Sequence, residues 1–441
     1  MPATLGVPEQ TLKVGERPAC QQFPYLVIGL FLELVIQAAV SLRGSRAVLA
    51  VVQGLLPQIE RLPSANGGQM WLLRIGLYEV VRVKEKADDW VWLADHTVQI
   101  GTLKCLLIVG CRLAVWQAQA RPLEHGDLQV LALEPVATSP GDVVERQLEV
   151  LAKQVGVPRQ ILSDHGSDLK SGIEAFCHQH PETAGSYDIA HKIALVLKRE
   201  LAGDERWFGY LQALGQTKLR LLQTPLAYLV PPSPKSKARY MNLEQLVAWG
   251  QKALTFLEEP PAVGGVPVPA QDLQEKLGWL REYRTALGEW QEVMGVVAKT
   301  LTYVRHAGYH RKAKKELAKQ LLGVSHTALS RRVATALVAF VAEQSAQARP
   351  GERLLGSTEC LESLIGKGKR LEGQQSKSGF TKMLLGMAAA VVKPTKEYLS
   401  AAFATVKVKD VAAWCQAKLG TSLQAQRCQA FAACPVGTKP G

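Results

Sequence analysis

Val91-Trp92-Leu93-Ala94-Asp95, continued by His96-Thr97-Val98-Gln99-Ile100-Gly101, is the stretch around which the chain is organised. An apolar run that ends on a carboxylate reads as a buried strand carrying Asp95 to its exposed tip, because an ionised group there must meet solvent, a partner or a metal. Two later stretches match it. Ile161-Leu162-Ser163-Asp164-His165-Gly166 is a second short apolar run ending in Asp, and Glu359-Cys360-Leu361-Glu362-Ser363-Leu364-Ile365 sets acids among apolar residues at helical spacing. Three carboxylates delivered in this way can share a pair of divalent cations.

The rest of the composition is that of an ordinary globular protein. The chain has 441 residues, 47% hydrophobic and 21% charged, enough for two or three domains and incompatible with a disordered chain. Its net charge of +13 points to a polyanionic partner. A basic enzyme without such a partner fits the charge equally well. The eight cysteines are scattered, with no Cys-x-x-Cys pair and no zinc-ligand spacing, so free thiols in a cytoplasmic, nucleoid-associated protein are expected. Residues 1–22 lack the basic-then-apolar order of a signal peptide. Phe23 to Val40 is apolar enough to suggest a membrane span, but Glu33 near its centre favours a buried helix and no membrane association.

Along the chain, residues 23–83 read as three or four helices, with Ser41 and Pro63-Ser64 as starts. This is the size of a helix-turn-helix DNA-binding domain, with Arg43, Arg46 and Arg74 as phosphate or base contacts, although a plain helical cap fits nearly as well. From Asp89 the pattern changes to strands: Trp90 to Asp95, Thr102 to Val109 and Arg112 to Gln117 read as an antiparallel meander. A helix (Val143 to Val155), the strand ending at Asp164, a helix (Ser167 to Cys177), a short strand near Ser186 to Asp188 and a helix from Ala190 follow. The expected class is α/β. Three strands, helix, strand, helix, strand, helix is the order of a ribonuclease-H-like core, a mixed five-stranded sheet flanked by helices.

With these residues in view, the chain resembles the DDE-type bacterial insertion-sequence transposases. Ser163-Asp164-His165-Gly166-Ser167-Asp168-Leu169 resembles the family's second-Asp segment, and Gly356 to Lys369 resembles its Glu-bearing helix. Glu362 and Lys369 match the end of the signature Tyr-x2-Arg-x3-Glu-x6-Lys, whereas its Tyr and Arg positions fall on Leu355 and Thr358. The resemblance implies a catalytic, metal-binding triad of Asp95, Asp164 and Glu362. It also implies metal-dependent cleavage and strand transfer at the ends of a mobile element. The DNA partners would be terminal inverted repeats and target DNA, held by a homodimer on paired ends. In such a site two magnesium ions roughly 3.5–4 Å apart activate the attacking oxygen and stabilise the leaving oxygen, and manganese can substitute. Asp95 would bridge both ions; Asp164 and Glu362 would each hold one. Asp168, Asp188 and Glu359 are the competing acids, each explicable as a helix-start carboxylate.

About 200 residues separate Asp164 from Glu362, far more than one crossover needs. The expected layout is therefore a first core segment (89–206), a mainly helical insertion (207–351), a second core segment with the Glu helix (352–395) and a C-terminal tail (396–441). Lys235, Lys237 and Arg239, and the run from Arg305 to Lys315 through Tyr309, are candidate DNA contacts in the insertion. Trp290 could hold a flipped base or sit in the core. Lys367 and Lys369 follow Glu362 and would lie alongside the scissile phosphate. Two other readings stay open: a structure-selective nuclease of the same fold that does not join strands, and an inactive DNA-binding descendant.

Overall fold

The computed structural model describes residues 15–55, 59–100, 103–119, 121–136, 138–234, 242–259, 262–263, 266–267, 270–373, 382–421 and 423–432. Three helices come first: α1 (Tyr25–Ile36), α2 (Leu42–Gln53) and α3 (Ala65–Val81). α2 starts where Ser41 Oγ accepts the Gly44 N–H at 2.9 Å, and α3 where Ser64 Oγ accepts the Gly67 N–H at 3.0 Å. In each case a hydroxyl satisfies a helix N–H that has no intrahelical partner.

The core follows as β1 (Trp90–Ile100), β2 (Leu103–Arg112), α4 (Leu113–Ala118), β3 (Gln129–Val136), α5 (Gly141–Val155), β4 (Gln160–Ser163), α6 (Ser167–Gln179) and β5 (Ala184–Tyr187). The sheet order is β3-β2-β1-β4-β5, with β1–β2 and β2–β3 antiparallel and β1–β4 parallel. This is a ribonuclease-H-like α/β core. The expected third strand is displaced: Arg112 ends β2 and Leu113 to Gln117 fall in the helix α4. The apparent break at Gly110-Cys111 is instead the end of β2, where a side chain on Gly110 would overlap Leu131 of β3. β1 is central and its apolar run is buried on both faces. Trp90, Trp92 and Ala94 pack with Ile161 of β4 against Val144, Leu148 and Leu151 of α5 and Ile173 and Phe176 of α6.

Beyond β5 come α7 (Ile189–Ala202), α8 (Glu205–Leu221), α9 (Leu243–Glu258), a short hairpin of β6 (Ala262–Val263) and β7 (Val266–Pro267), α10 (Ala270–Leu277), α11 (Arg284–Ala307), α12 (Ala313–Leu321) and α13 (Ala328–Ser345). The chain closes with α14 (Glu359–Gly373), α15 (Leu384–Ala389), α16 (Lys396–Thr405), α17 (Val408–Leu419) and α18 (Leu423–Ala432). Two compact units result. One comprises residues 1–118, 123–185 and 358–441, and the other residues 119–122 and 186–357. No described helix is long and apolar enough to cross a membrane. The seven described cysteines are free.

In the first unit α3 is buried from Trp71 to Leu77 and packs on α1, α2, α15, α16, α17 and β3. A side chain at Gly76 would overlap the Leu385 carbonyl, so the glycine permits close approach of α3 and α15. A helix covered in this way has no free face to lay in a DNA groove, so it acts as the helical cap rather than as a recognition helix. Arg74 is corrected with it. Only 6% exposed, it donates to the Val406 and Phe403 carbonyls at 2.8 and 3.0 Å and stacks on the Phe403 ring, so it cannot reach DNA phosphate.

The same helix carries Glu79, which is 2% exposed. Its carboxylate accepts from Arg82 at 2.6 Å, Lys84 at 2.8 Å, the Tyr398 hydroxyl at 2.9 Å and the Val130 N–H at 3.2 Å. α3, β3 and α16 therefore meet on one charge. Burial alone would raise the Glu79 carboxyl, but Arg82 and Lys84 outweigh it and hold it below the ordinary range. Burial also pulls the Lys84 ammonium down, to about 8, against the attraction of Glu79.

In the second unit Trp290 sits at the centre of an aromatic cluster, 4.9 Å from Trp207 and 5.3 Å from Tyr210 between ring centroids. It is 1% exposed and its indole N–H donates to Asp204 at 3.3 Å. The core reading therefore replaces the flipped-base reading. Tyr309 is buried as well, its hydroxyl donating to the Tyr187 carbonyl at 2.9 Å, so it offers no face to a base.

Two stability predictions follow from this packing. Glu79→Gln keeps the shape but leaves Lys84 and Arg82 without a counter-charge, and should cost about 3–5 kcal/mol in urea unfolding. Because the folded carboxyl lies below its ordinary 4.5, its stabilisation is present above that pH and is lost as pH falls through the folded value. Wild type should therefore lose more stability than Glu79→Gln on acidification, and parallel curves would refute the assignment. Trp290→Ala should cost about 3–5 kcal/mol while leaving DNA affinity of the folded protein unchanged.

Candidate active site

The register of β1 and β4 builds the first half of the site. Leu93 pairs with Leu162 and Ala94 with Ser163, so Asp95 and Asp164 are the next residues on two adjoining parallel strands, whose axes lie about 4.8 Å apart. Side chains alternate between faces along a strand. Ala94 and Ile161 point into the layer with α5 and α6, so Asp95 and Asp164 continue the opposite set, with Leu93 and Leu162. Both acids are half-buried at the point where the buried run ends.

Directly after Asp164 the chain turns sharply. Asp164 Oδ1 accepts the Gly166 N–H at 3.0 Å, and His165 takes φ +54, a left-handed conformation that costs a side-chain-bearing residue energy. Strain of this kind collects at functional sites and persists only where surrounding structure enforces it. Next to Asp95, His96 faces the other way, with Nε2 2.8 Å from Ser139 Oγ. Burial and Lys104 push its pKa down against the opposing pull of Asp168 and Asp164, so the ring is neutral at pH 7. Asp168 is held in a 2.9 Å ion pair with Lys104 in the first turn of α6, which gives it a structural role.

Glu362 comes from α14, which packs on β1, α15 and the turn at His125–Asp127. The helix is seated by Leu361, Leu364 and Ile365, all buried, and a side chain at Gly368 would overlap Met387. Glu362 is half-buried beside that seat, with the buried Thr358 hydroxyl donating to its Oε1 at 3.3 Å. Glu359 is the first residue of the helix and is exposed. The residue flanking α14 is Thr358, so Ser357 is not the cap. All three predicted acids thus belong to the same compact unit. Three half-buried carboxylates form a donor set that suits a hard divalent ion.

The remaining predicted contacts divide by burial. Arg43 and Arg46 are exposed on α2, and Lys369 is exposed on α14 two turns after Glu362. Lys367 is half-buried; burial, with Arg370, lowers its pKa. Arg311, Lys312, Lys314 and Lys315 are exposed on the second unit. Lys235, Lys237 and Arg239 lie outside the described residues. Asp188, read from sequence as a helix-start acid, does cap α7, but it is fully buried and paired with His191 Nδ1 at 2.9 Å as well as with the His191 N–H at 2.8 Å. The Asp-x-x-His spacing across a helix start was the available signal for that pair.

Comparison with known proteins adds little to this geometry. No family model matches the chain. An 80-residue stretch is 32% identical to Elongation factor P 1 of Chlamydia trachomatis serovar D; it spans 18% of this chain and 40% of that protein. Among solved structures, the Drosophila P element transposase strand transfer complex aligns with a TM-score of 0.42 and 11% identity, over 86% of this chain and 94% of that one.

Proposed function

We propose that the chain is a DNA transposase that cleaves and joins the ends of a mobile insertion sequence, with Asp95, Asp164 and Glu362 as its metal-binding acids. The observation that carries this reading is the β1–β4 register, which sets Asp95 and Asp164 side by side at the end of one buried apolar run in a ribonuclease-H-like sheet. The helix bearing Glu362 packs on β1, the same strand that carries Asp95. The motif likeness around Asp164 and Glu362 and the net charge of +13 support it from the sequence side.

Each residue has a part in this scheme. Asp95, Asp164 and Glu362 would hold magnesium, which when bound activates an attacking oxygen and stabilises the leaving oxygen of a phosphodiester. The Asp164 turn to Gly166 fixes that carboxylate by a backbone hydrogen bond, and Thr358 does the same for Glu362. Burial on one side of each acid excludes part of the water that would otherwise solvate it and so strengthens its charge interactions. Lys369, exposed on α14, is available to a DNA phosphate, and Arg43 and Arg46 offer further phosphate contacts.

The test uses the full-length chain, magnesium, and labelled duplexes carrying the DNA that flanks its coding region, with a plasmid as target. Asp95→Asn, Asp164→Asn and Glu362→Gln should each lower nicking on the order of a thousandfold, about 4 kcal/mol of barrier, with DNA affinity unchanged. Glu359→Gln should stay within about tenfold of wild type. Wild-type turnover in any of the three would remove that residue from the site. Loss in Glu359→Gln with activity in Glu362→Gln would move the third ligand to the first turn of α14. Cleavage without joined products would favour the nuclease reading.

A further inference from the structure

α8 carries two stripes. Trp207, Tyr210, Leu214, Thr217 and Leu221 are buried in the core of the second unit. Phe208, Gln212, Gly215, Leu219 and Leu222 follow each other at intervals of four, three, four and three, and at 3.6 residues per turn they centre roughly 140° away around the helix. This second stripe faces outward. Phe208 is 56%, Leu219 75% and Leu222 50% exposed, and a Cβ on Gly215 would meet nothing within 4 Å.

Alternation of four and three is the spacing with which one helix seats on another. Here it is also symmetric, because Phe208 and Leu222 each stand seven residues from Gly215. Reversing one helix on the other about Gly215 brings Phe208 of one copy to Leu222 of its partner, with the glycines where the backbones come closest. The charges follow the same reversal. Glu205 lies at the start of α8 and Lys218 and Arg220 near its end, so an antiparallel partner sets the acidic end against the basic end and opposes the helix dipoles. A surface that complements itself under a two-fold rotation is what an isologous dimer requires.

We propose that two copies of this chain associate through α8, antiparallel, across a two-fold axis at Gly215. Holding two DNA ends with such a dimer rests on the transposase reading, but the self-association does not. A dimer that fails to cleave DNA would leave this inference intact, and a cleaving monomer would overturn it without touching the triad.

Sedimentation velocity on the full-length chain tests it. Wild type should show a concentration-dependent monomer–dimer equilibrium, weakened at least about tenfold, or 1.4 kcal/mol, by Leu219→Glu and by Gly215→Arg. The space around Gly215 is open and arginine is the better helix former, so this variant should keep its circular dichroism spectrum and thermal midpoint. Phe208→Glu and Leu222→Lys should each weaken the dimer and together restore it. A parallel pair would set like charges face to face and show no restoration, which would overturn the antiparallel assignment. Val51→Glu, on the exposed apolar face of α2, should leave association unchanged. A monomer at every concentration, or a dimer indifferent to Gly215→Arg or dissolved by Val51→Glu, would overturn the proposal.

Discussion

The parallel pairing of β1 with β4 is the constraint on which the candidate site depends. Side chains alternate with a period of two, so a slip of one residue between Ala94 and Ser163 would send Asp95 and Asp164 to opposite faces of the sheet. What prevents the slip is burial rather than any interaction of the acids. Trp92, Ala94 and Ile161 fill the layer against α5 and α6, and a shifted register would exchange those apolar groups for carboxylates. The acids are thus positioned by the hydrophobic effect acting on their neighbours, and are exposed because the apolar run ends where they begin.

A second constraint draws the two ends of the chain together. Glu79 on α3 is bonded both to the backbone of β3, at Val130, and to Tyr398 on α16, more than 300 residues away. A buried carboxylate is costly unless its lone pairs are filled, and here Arg82 and Lys84 supply the matching charge. Arg74 adds bonds to the carbonyls that end α16. The N-terminal helices, which in isolation have the size of a DNA-binding module, are for this reason part of the body that carries the sheet.

The second unit shows how burial separates residues that composition cannot. Trp290, Trp207 and Tyr210 form its aromatic centre, and Tyr309 is enclosed, while the basic residues Arg311, Lys312, Lys314 and Lys315 beside Tyr309 in sequence face outward. Phe208, one residue from Trp207, is turned away from that centre. On α8 the apolar residues exceed what one face can bury, and it is this excess that gives the helix a second, outward stripe.

The sequence by itself determined the class of the core and the local elements: the buried run to Asp95, the strand ending at Asp164, the helix bearing Glu362, and the serine starts of α2 and α3. These are set by period, by apolar run length and by capping chemistry, all of which act over a few residues. The third strand was misread because Arg112 to Gln117 is apolar enough for a strand, and only the packing of Leu131 over Gly110 shows that β3 lies later, at Gln129–Val136. The roles of Arg74, Trp290 and Tyr309 were equally out of reach, since arginine and the large aromatics serve a core or a nucleic acid with the same atoms. Only the tertiary structure decided between those uses, because burial and the partner of each polar atom depend on segments that lie tens to hundreds of residues away.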